Sequence, residues 1–211
     1  MNRTVKFIFY IIAVTGVWGC KQPKPQPEMR IPPTAAKDGI NPYVAPDKSP
    51  MDMSYFPKDY PILRMNGTDE KSLVARVIYS RPQKKGRQIF GTSEKNLVQF
   101  GKEWRIGANE ATEIEFFKNV KINGQPLPKG RYVMYGIPSP QNWMIAFNNN
   151  LFTWGLHMDS TQDVLRISEP VIEQKPPVEE LTIFFEPSEI GADLFVIWDN
   201  VKVKIPISIE Q

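Results

Sequence analysis

The residues of this chain best suited to chemistry gather in and around one stretch, 101–112, which reads GKEWRIGANEAT. It mixes an aromatic ring, charged pairs, glycines, an amide and a hydroxyl, which suits neither a buried strand nor a solvated helix face. Upstream stand Tyr79, Arg81 and Arg87, so three arginines fall in or beside two successive loops with Trp104, Arg105, Asn109 and Glu110. Arginine offers a planar fork of donors matched to carboxylate or phosphate, and Tyr79 and Trp104 offer flat faces on which a sugar ring could lie. Together Tyr79, Arg81, Arg87, Trp104, Arg105, Asn109 and Glu110 form a candidate pocket for an anionic or carbohydrate ligand. The same residues could instead satisfy one another. Glu110 would then pair with Arg105 or Arg87, Asn109 would bond loop backbone, and Trp104 would fill the core beneath.

Catalytic chemistries find less support. His157 is the only histidine and Cys20 the only cysteine, so a zinc site has no ligand set. A Ser-His-Asp arrangement would have only His157 as its base, without a Gly-x-Ser-x-Gly elbow. Asp159 and Asp163 lack the ligand density and the glycine of a calcium loop. We therefore expect no metal, no cofactor and no catalytic residue. Glycoside hydrolysis needs two carboxylates facing one bond, and Glu103, Glu110 and Glu113 cluster in sequence. Glu113 and Glu115, however, alternate with Ile114 and Phe116 and read as the wet face of a strand.

The elements that must position these groups follow from composition. Arg3 and Lys6 precede an apolar run over 7–17, and Val17-Trp18-Gly19-Cys20 closes it. That run is shorter than the roughly 20 residues of a membrane-spanning helix, so residues 1–19 read as a signal peptide. The sole cysteine stands where a bacterial lipoprotein is cut and acylated, although Trp18 is larger than the usual residue there. We expect lipidation at Cys20, which several acyl chains would make a stable anchor. Lys21 after the cysteine favours the outer membrane of a Gram-negative cell. Loss of Arg3 and Lys6 leaves 24 basic against 23 acidic residues, which leaves no electrostatic footprint for nucleic acid.

Residues 21–50 hold eight prolines and almost no large apolar side chains, so 20–50 reads as an extended, disordered tether. From 51 to 211 short β-branched and aromatic runs recur between Gly, Pro and Asn. Strands are expected over 51–56, 73–80, 112–117, 131–137, 143–147, 164–168, 181–186, 194–198 and 201–207. Turns are expected at Asn123-Gly124, Pro128-Lys129-Gly130 and Asp199-Asn200. Pro206 suggests that the last strand lies at an edge or ends its ladder there. One short helix is expected over 93–100, capped by Thr92 or Ser93 and stopped by Gly101. The sum is an all-β fold, an antiparallel β-sandwich with one short helix. Trp143, Trp154 and Trp198, with Phe147, Phe184, Phe185 and Phe195, read as core and strand-end packing or else as an aromatic platform for glycans. The run Ile183-Phe184-Phe185 implies that part of the outer face is covered.

Several short strings come in order along this domain. They include Tyr79-Ser80-Arg81-Pro82, Lys85-Gly86-Arg87, Ile89-Phe90-Gly91 and Trp104-Arg105, then Gly107-Ala108-Asn109-Glu110-Ala111-Thr112. Ile122-Asn123-Gly124, Leu127-Pro128, Gly130-Arg131-Tyr132, Trp154-Gly155 and Asp163-Val164-Leu165-Arg166 follow. Over roughly 50–209 the chain resembles the bacterial envelope family known as domain of unknown function 2911. The resemblance implies a secreted or lipid-anchored β-rich domain and carries over no activity and no catalytic residue. The expected function is that of a membrane-anchored envelope lipoprotein, a non-catalytic sandwich binding a glycan, an anionic ligand or a partner protein. A glycan-acting hydrolase using loop carboxylates, or a structural subunit of an envelope complex, are the alternatives.

Overall fold

The computed structural model describes residues 47–68 and 72–209. The expected signal peptide, the lipidation expected at Cys20 and the expected tether up to residue 46 lie outside the described residues. No described helix is long and apolar enough to cross a membrane.

The chain order is β1 (Met51–Phe56), α1 (Tyr60–Met65), β2 (Ala75–Ser80), β3 (Phe90–Gly91), β4 (Val98–Gln99), β5 (Glu113–Phe116), β6 (Val120–Ile122), β7 (Gln125–Leu127), β8 (Gly130–Pro138), β9 (Asn142–Asn148), β10 (Asp163–Ser188) and β11 (Gly191–Ile209). Nine strands are hydrogen-bonded in the order β1-β2-β5-β8-β9-β10-β11-β6-β7, and β3 and β4 form a separate parallel pair. The large array makes two layers because β10 serves both. It pairs with β9 over Asp163–Pro170, then with β11 from Val171 to Ser188.

β11 doubles back on itself. The Ile209 amide donates to Ile190 O (3.3 Å), Lys204 pairs with Asp193 (3.5 Å), and the Lys202 ammonium lies 5.9 Å from the Phe195 ring centre. The reversal falls at Asp199, whose φ is 54°, where the sequence predicts a turn. The expected runs 194–198 and 201–207 are thus the two arms of β11, and 164–168 and 181–186 belong to β10. Residues 174–177 of β10 carry it past this reversal from one arm to the other, which accounts for the shift in register between Glu173 and Val178.

Period-two alternation builds the core. Ala75, Val77 and Tyr79 of β2 meet Ile114 and Phe116 of β5 on one layer, facing Leu194, Val196 and Trp198 and the Val203–Ile205–Ile207 series of β11, all buried in one cluster. The opposite face of β2 and β5 is polar: Arg76 pairs with Glu115 (2.8 Å), and Arg131 reaches Glu113 (3.5 Å) and Glu115 (3.7 Å). The outward Phe184 stacks on Phe195 at 5.3 Å, so this face is covered in part, as the run Ile183-Phe184-Phe185 implies.

Asn123-Gly124 makes the predicted hairpin between β6 and β7, with φ of 47° and 77°, the signs a tight turn requires. Pro206 does not lie at an edge, since β6 and β7 lie beyond β11. It ends a ladder instead: its carbonyl accepts from Asn123 at the close of the β6 pairing (2.9 Å).

The expected helix over 93–100 does not form. The Asn96 amide oxygen takes the Ser93 N–H (3.0 Å), and Val98 and Phe100 donate to Ile89 O and Gly91 O (2.9 and 2.8 Å), so the segment becomes the β3–β4 loop. A Cβ at Gly91 would collide with the Asn96 side chain, which makes this turn a closed, packed unit. The helix present is α1, whose six residues are all outside the core. Lacking a buried face, it leaves no apolar period to read.

Candidate functional site

The stretch 101–112 forms a loop closed on itself. Thr112 donates its hydroxyl to Ile106 O (2.8 Å) and its amide to Arg105 O (3.2 Å), while Ile106 and Asn109 take φ of 50° and 57°. Trp104 exchanges two backbone hydrogen bonds with Gly136 of β8 (2.8 and 2.9 Å). Its indole stacks on Trp198 (6.0 Å, 19°) and meets Trp143 and Phe90 edge-on (5.5 and 5.9 Å). Trp104 therefore fills the core beneath the loop while its rim stays partly exposed.

A second loop, 149–158, lies against the first. Ala111 donates to Thr153 O (3.1 Å), and Arg105 Nη1 donates to Trp154 O (2.7 Å) with its guanidinium carbon 5.7 Å from the Trp154 ring centre. Gly155 has φ 73°, and a Cβ there would stand 2.9 Å from the Cβ atoms of Ala111 and Arg105, so the loops touch as only glycine permits. Burial lowers the pKa of the Arg105 guanidinium, which marks a cation short of water. Between the loops runs an open groove of about 320 Å³, lined among others by Arg87, Leu97, Glu103, Trp104, Arg105 and Leu156. Leu156 of its lining is 65% exposed and the Trp154 indole beside Arg105 is 54% exposed, whereas Phe152, 83% exposed, lies instead by Arg131, whose guanidinium carbon is 6.0 Å from its ring centre.

The predicted set divides. Arg87, Trp104 and Arg105 share the groove. Arg87 also holds its own loop, donating from Nε to Lys84 O (3.0 Å) and from Nη2 to Gln83 O (2.5 Å). Tyr79 and Arg81 join a separate cluster behind it. Arg81 bridges Asp52 of β1 (3.1 Å) and Glu180 of β10 (2.9 Å), and the Tyr79 hydroxyl donates to Asp52 (3.1 Å). Asn109 donates to the Asp47 carboxylate (2.8 Å) and Ser49 O (3.4 Å), holding the start of the domain against the loop. Glu110 is exposed and forms no pair with Arg105 or Arg87. The self-satisfying alternative holds for Trp104 and fails for Glu110, while Asn109 is satisfied by Asp47 and Ser49 of the segment before β1 rather than by the backbone of its own loop.

The sequence reading left Trp154 between core packing and an aromatic platform and did not single out Leu156. Trp143, Trp198, Phe147 and Phe185 are core, as expected, whereas Trp154 is exposed. The signal was there in the alternation Phe152-x-Trp154-x-Leu156, flanked by Asn and Gly with no partner run to bury it. His157 is an exposed loop residue, and Asp159 caps the turn that follows through Thr161 N (3.1 Å). Among the described residues no group of three or more His, Cys, Asp or Glu could hold a metal ion.

Two tyrosines give a test of the packing. Burial, with smaller help from Asp52, pushes the Tyr79 hydroxyl from 10.0 up to about 12. Burial and then the hydrogen bond to Asp163 do the same for Tyr135 of β8. A raised pKa means that the folded state holds its proton longer, so this stability is complete below pH 10 and is lost as pH rises through about 12. Each tyrosine is expected to contribute on the order of 2 kcal/mol. Over that window melting temperature should fall as tyrosinate absorbance rises. A flat melting temperature would contradict the burial.

The fold and site together define an all-β sandwich with an open groove, part cationic and part aromatic, framed by two interlocked loops. The chain belongs to the family described as "Protein of unknown function (DUF2911)", whose model matches residues 65–207. No curated protein and no solved structure matches the chain.

Proposed function

We propose that this protein is a carbohydrate-binding lipoprotein of the bacterial cell envelope. In this reading acyl chains on Cys20 anchor it in the outer membrane, the Pro-rich tether before Asp47 lifts the domain from the surface, residues 47–50 being held on the domain instead, and the groove takes a glycan. One observation carries the binding role: the half-exposed Trp154 indole is fixed by Arg105 through both its ring and its carbonyl. A ring held this way offers a sugar an apolar platform without first losing side-chain freedom, while Arg87 and Glu103 stand in the adjoining groove to meet hydroxyls.

Binding is favoured over hydrolysis by the carboxylates. Glu103 is the one carboxylate among the described residues lining the groove, and it accepts from the Met158 amide (3.2 Å). Glu113 is turned to Arg131 (3.5 Å) and to the Phe152 amide (3.2 Å). A glycosidase needs a facing pair.

The test is a glycan array probed with the full chain and with Trp154→Ala. The parent should retain a subset of glycans, and the variant should bind them about tenfold more weakly at an unchanged melting temperature. Equal binding by both proteins, or no glycan retained by either, would overturn the proposal.

A further inference from the structure

A second depression opens off the groove. It has a volume of about 380 Å³, is lined by Lys48, Ser49, Gln83, Lys85 and Arg87, and shares Ser49 and Arg87 with the groove. No carboxylate lines it. Lys48 and Lys85 form no ion pair among the described residues. The neighbouring Lys84 differs, because it is engaged by Asp199. Arg87 uses Nε and Nη2 on Lys84 O and Gln83 O, which leaves Nη1 free of protein acceptors among the described residues. Glu179 stands nearby, and its carboxylate is held by the Lys85 backbone amide (2.6 Å).

Three cations without an ion pair among the described residues, gathered at one spot with Glu179 as the nearby carboxylate, are costly because like charges raise each other's energy. Their positions are nonetheless enforced by structure. Lys85 sits in a turn with φ 48°. Lys48 rides on a segment tied down through Asp47, which accepts from both Ser49 N (2.9 Å) and Asn109 Nδ2 (2.8 Å). Asn109 thereby acts as a positioning residue for the depression rather than as a ligand contact.

We infer that the groove and this depression form one extended site, and that its ligand is an acidic glycan. A neutral part would lie along Trp104, Arg105 and the Trp154 rim, and a carboxylate or phosphate substituent would sit among Lys48, Lys85 and Arg87. The inference rests on the glycan reading above and adds the charge of the ligand and the subsite that reads it. Ion pairs at an exposed site are screened by salt, which gives a signature that stacking alone lacks.

The experiment uses the full chain and the double variant Lys48→Glu/Lys85→Glu on an array of matched acidic and neutral glycans, here oligogalacturonates and their methyl esters among others. Both substitutions are at exposed positions, and an unchanged melting temperature confirms the fold. The parent is expected to prefer acidic members. That preference should weaken as ionic strength rises from about 0.01 M to about 0.15 M, where the Debye length shrinks from ~30 to ~8 Å. In the variant, affinity for acidic members should fall by about tenfold or more while affinity for neutral members is kept. Equal binding of neutral and acidic members, or a variant that keeps the acidic preference, would overturn the inference and leave the glycan reading standing. Absence of any bound glycan would overturn both.

Discussion

Trp104→Ala is expected to lower stability by about 3 kcal/mol, toward the lower end for a tryptophan cut back to alanine because its rim is partly exposed. For a domain of this size that is a fall of roughly 6–12 °C in melting temperature. The loss comes from the side chain, since the two backbone hydrogen bonds to Gly136 remain available. The indole is the member of the aromatic cluster that touches Phe90, Trp143 and Trp198 at once. Its removal leaves the β3–β4 pair, β9 and β11 facing a common void. Trp104→Phe should recover part of the loss. Thermal denaturation of the three proteins decides the matter, and a fall of only a degree for the alanine variant would show that Trp104 belongs to the groove wall and not to the core.

The second large effect is expected from Gly191→Ala, at the head of β11. Its φ of 147° is one that other residues rarely adopt, and a Cβ there would lie 2.6 Å from Ile207 O and 3.1 Å from Ile209 N. Those neighbours are backbone and cannot swing aside, so the two arms of β11 would have to part. The cost should be about 2–4 kcal/mol, combining backbone strain with the displaced arm. Gly124→Ala is the control: its φ is 77° but a Cβ there meets nothing within 4 Å, and only conformational strain of about 1 kcal/mol is expected. Denaturant unfolding of both variants separates the effects, and equal losses would mean that the collision at Gly191 is relieved at no cost.

Much of the fold was legible because its strands are half buried and keep their alternation. The series Val203, Ile205 and Ile207 against lysines, and Glu113 and Glu115 against Ile114 and Phe116, fix one face inward on their own. The segment 93–100 was misread because its cap-like Ser93 and its glycine stop also suit a compact loop. What distinguishes the two is a set of bonds closed within the loop, Ser93 N to Asn96 and Val98 and Phe100 to Ile89 O and Gly91 O, with Asn96 packed over Gly91, none of which a residue pattern announces. Helix α1 was missed for the opposite reason, having no face to bury. At the site, the residue types in 101–112 pointed to the right neighbourhood, but partners across the layers were not readable. Nothing in the sequence says that Arg81 spends its charge on Asp52 and Glu180, or that residues 149–158 bring Trp154 to Arg105.

The pairing of β11 with β6 has a bearing on how the chain comes to be folded at all. Ile207, Ser208 and Ile209 supply the inner partner of Ile122, Lys121 and Val120, so β6 waits for a strand far downstream of it. Until it arrives, β6 and β7 have only each other, and an isolated two-stranded ribbon is marginal in water. Contacts this remote in sequence slow the search for the native state. The ribbon of β6 and β7 therefore joins the large sheet only once the second arm of β11 is in place.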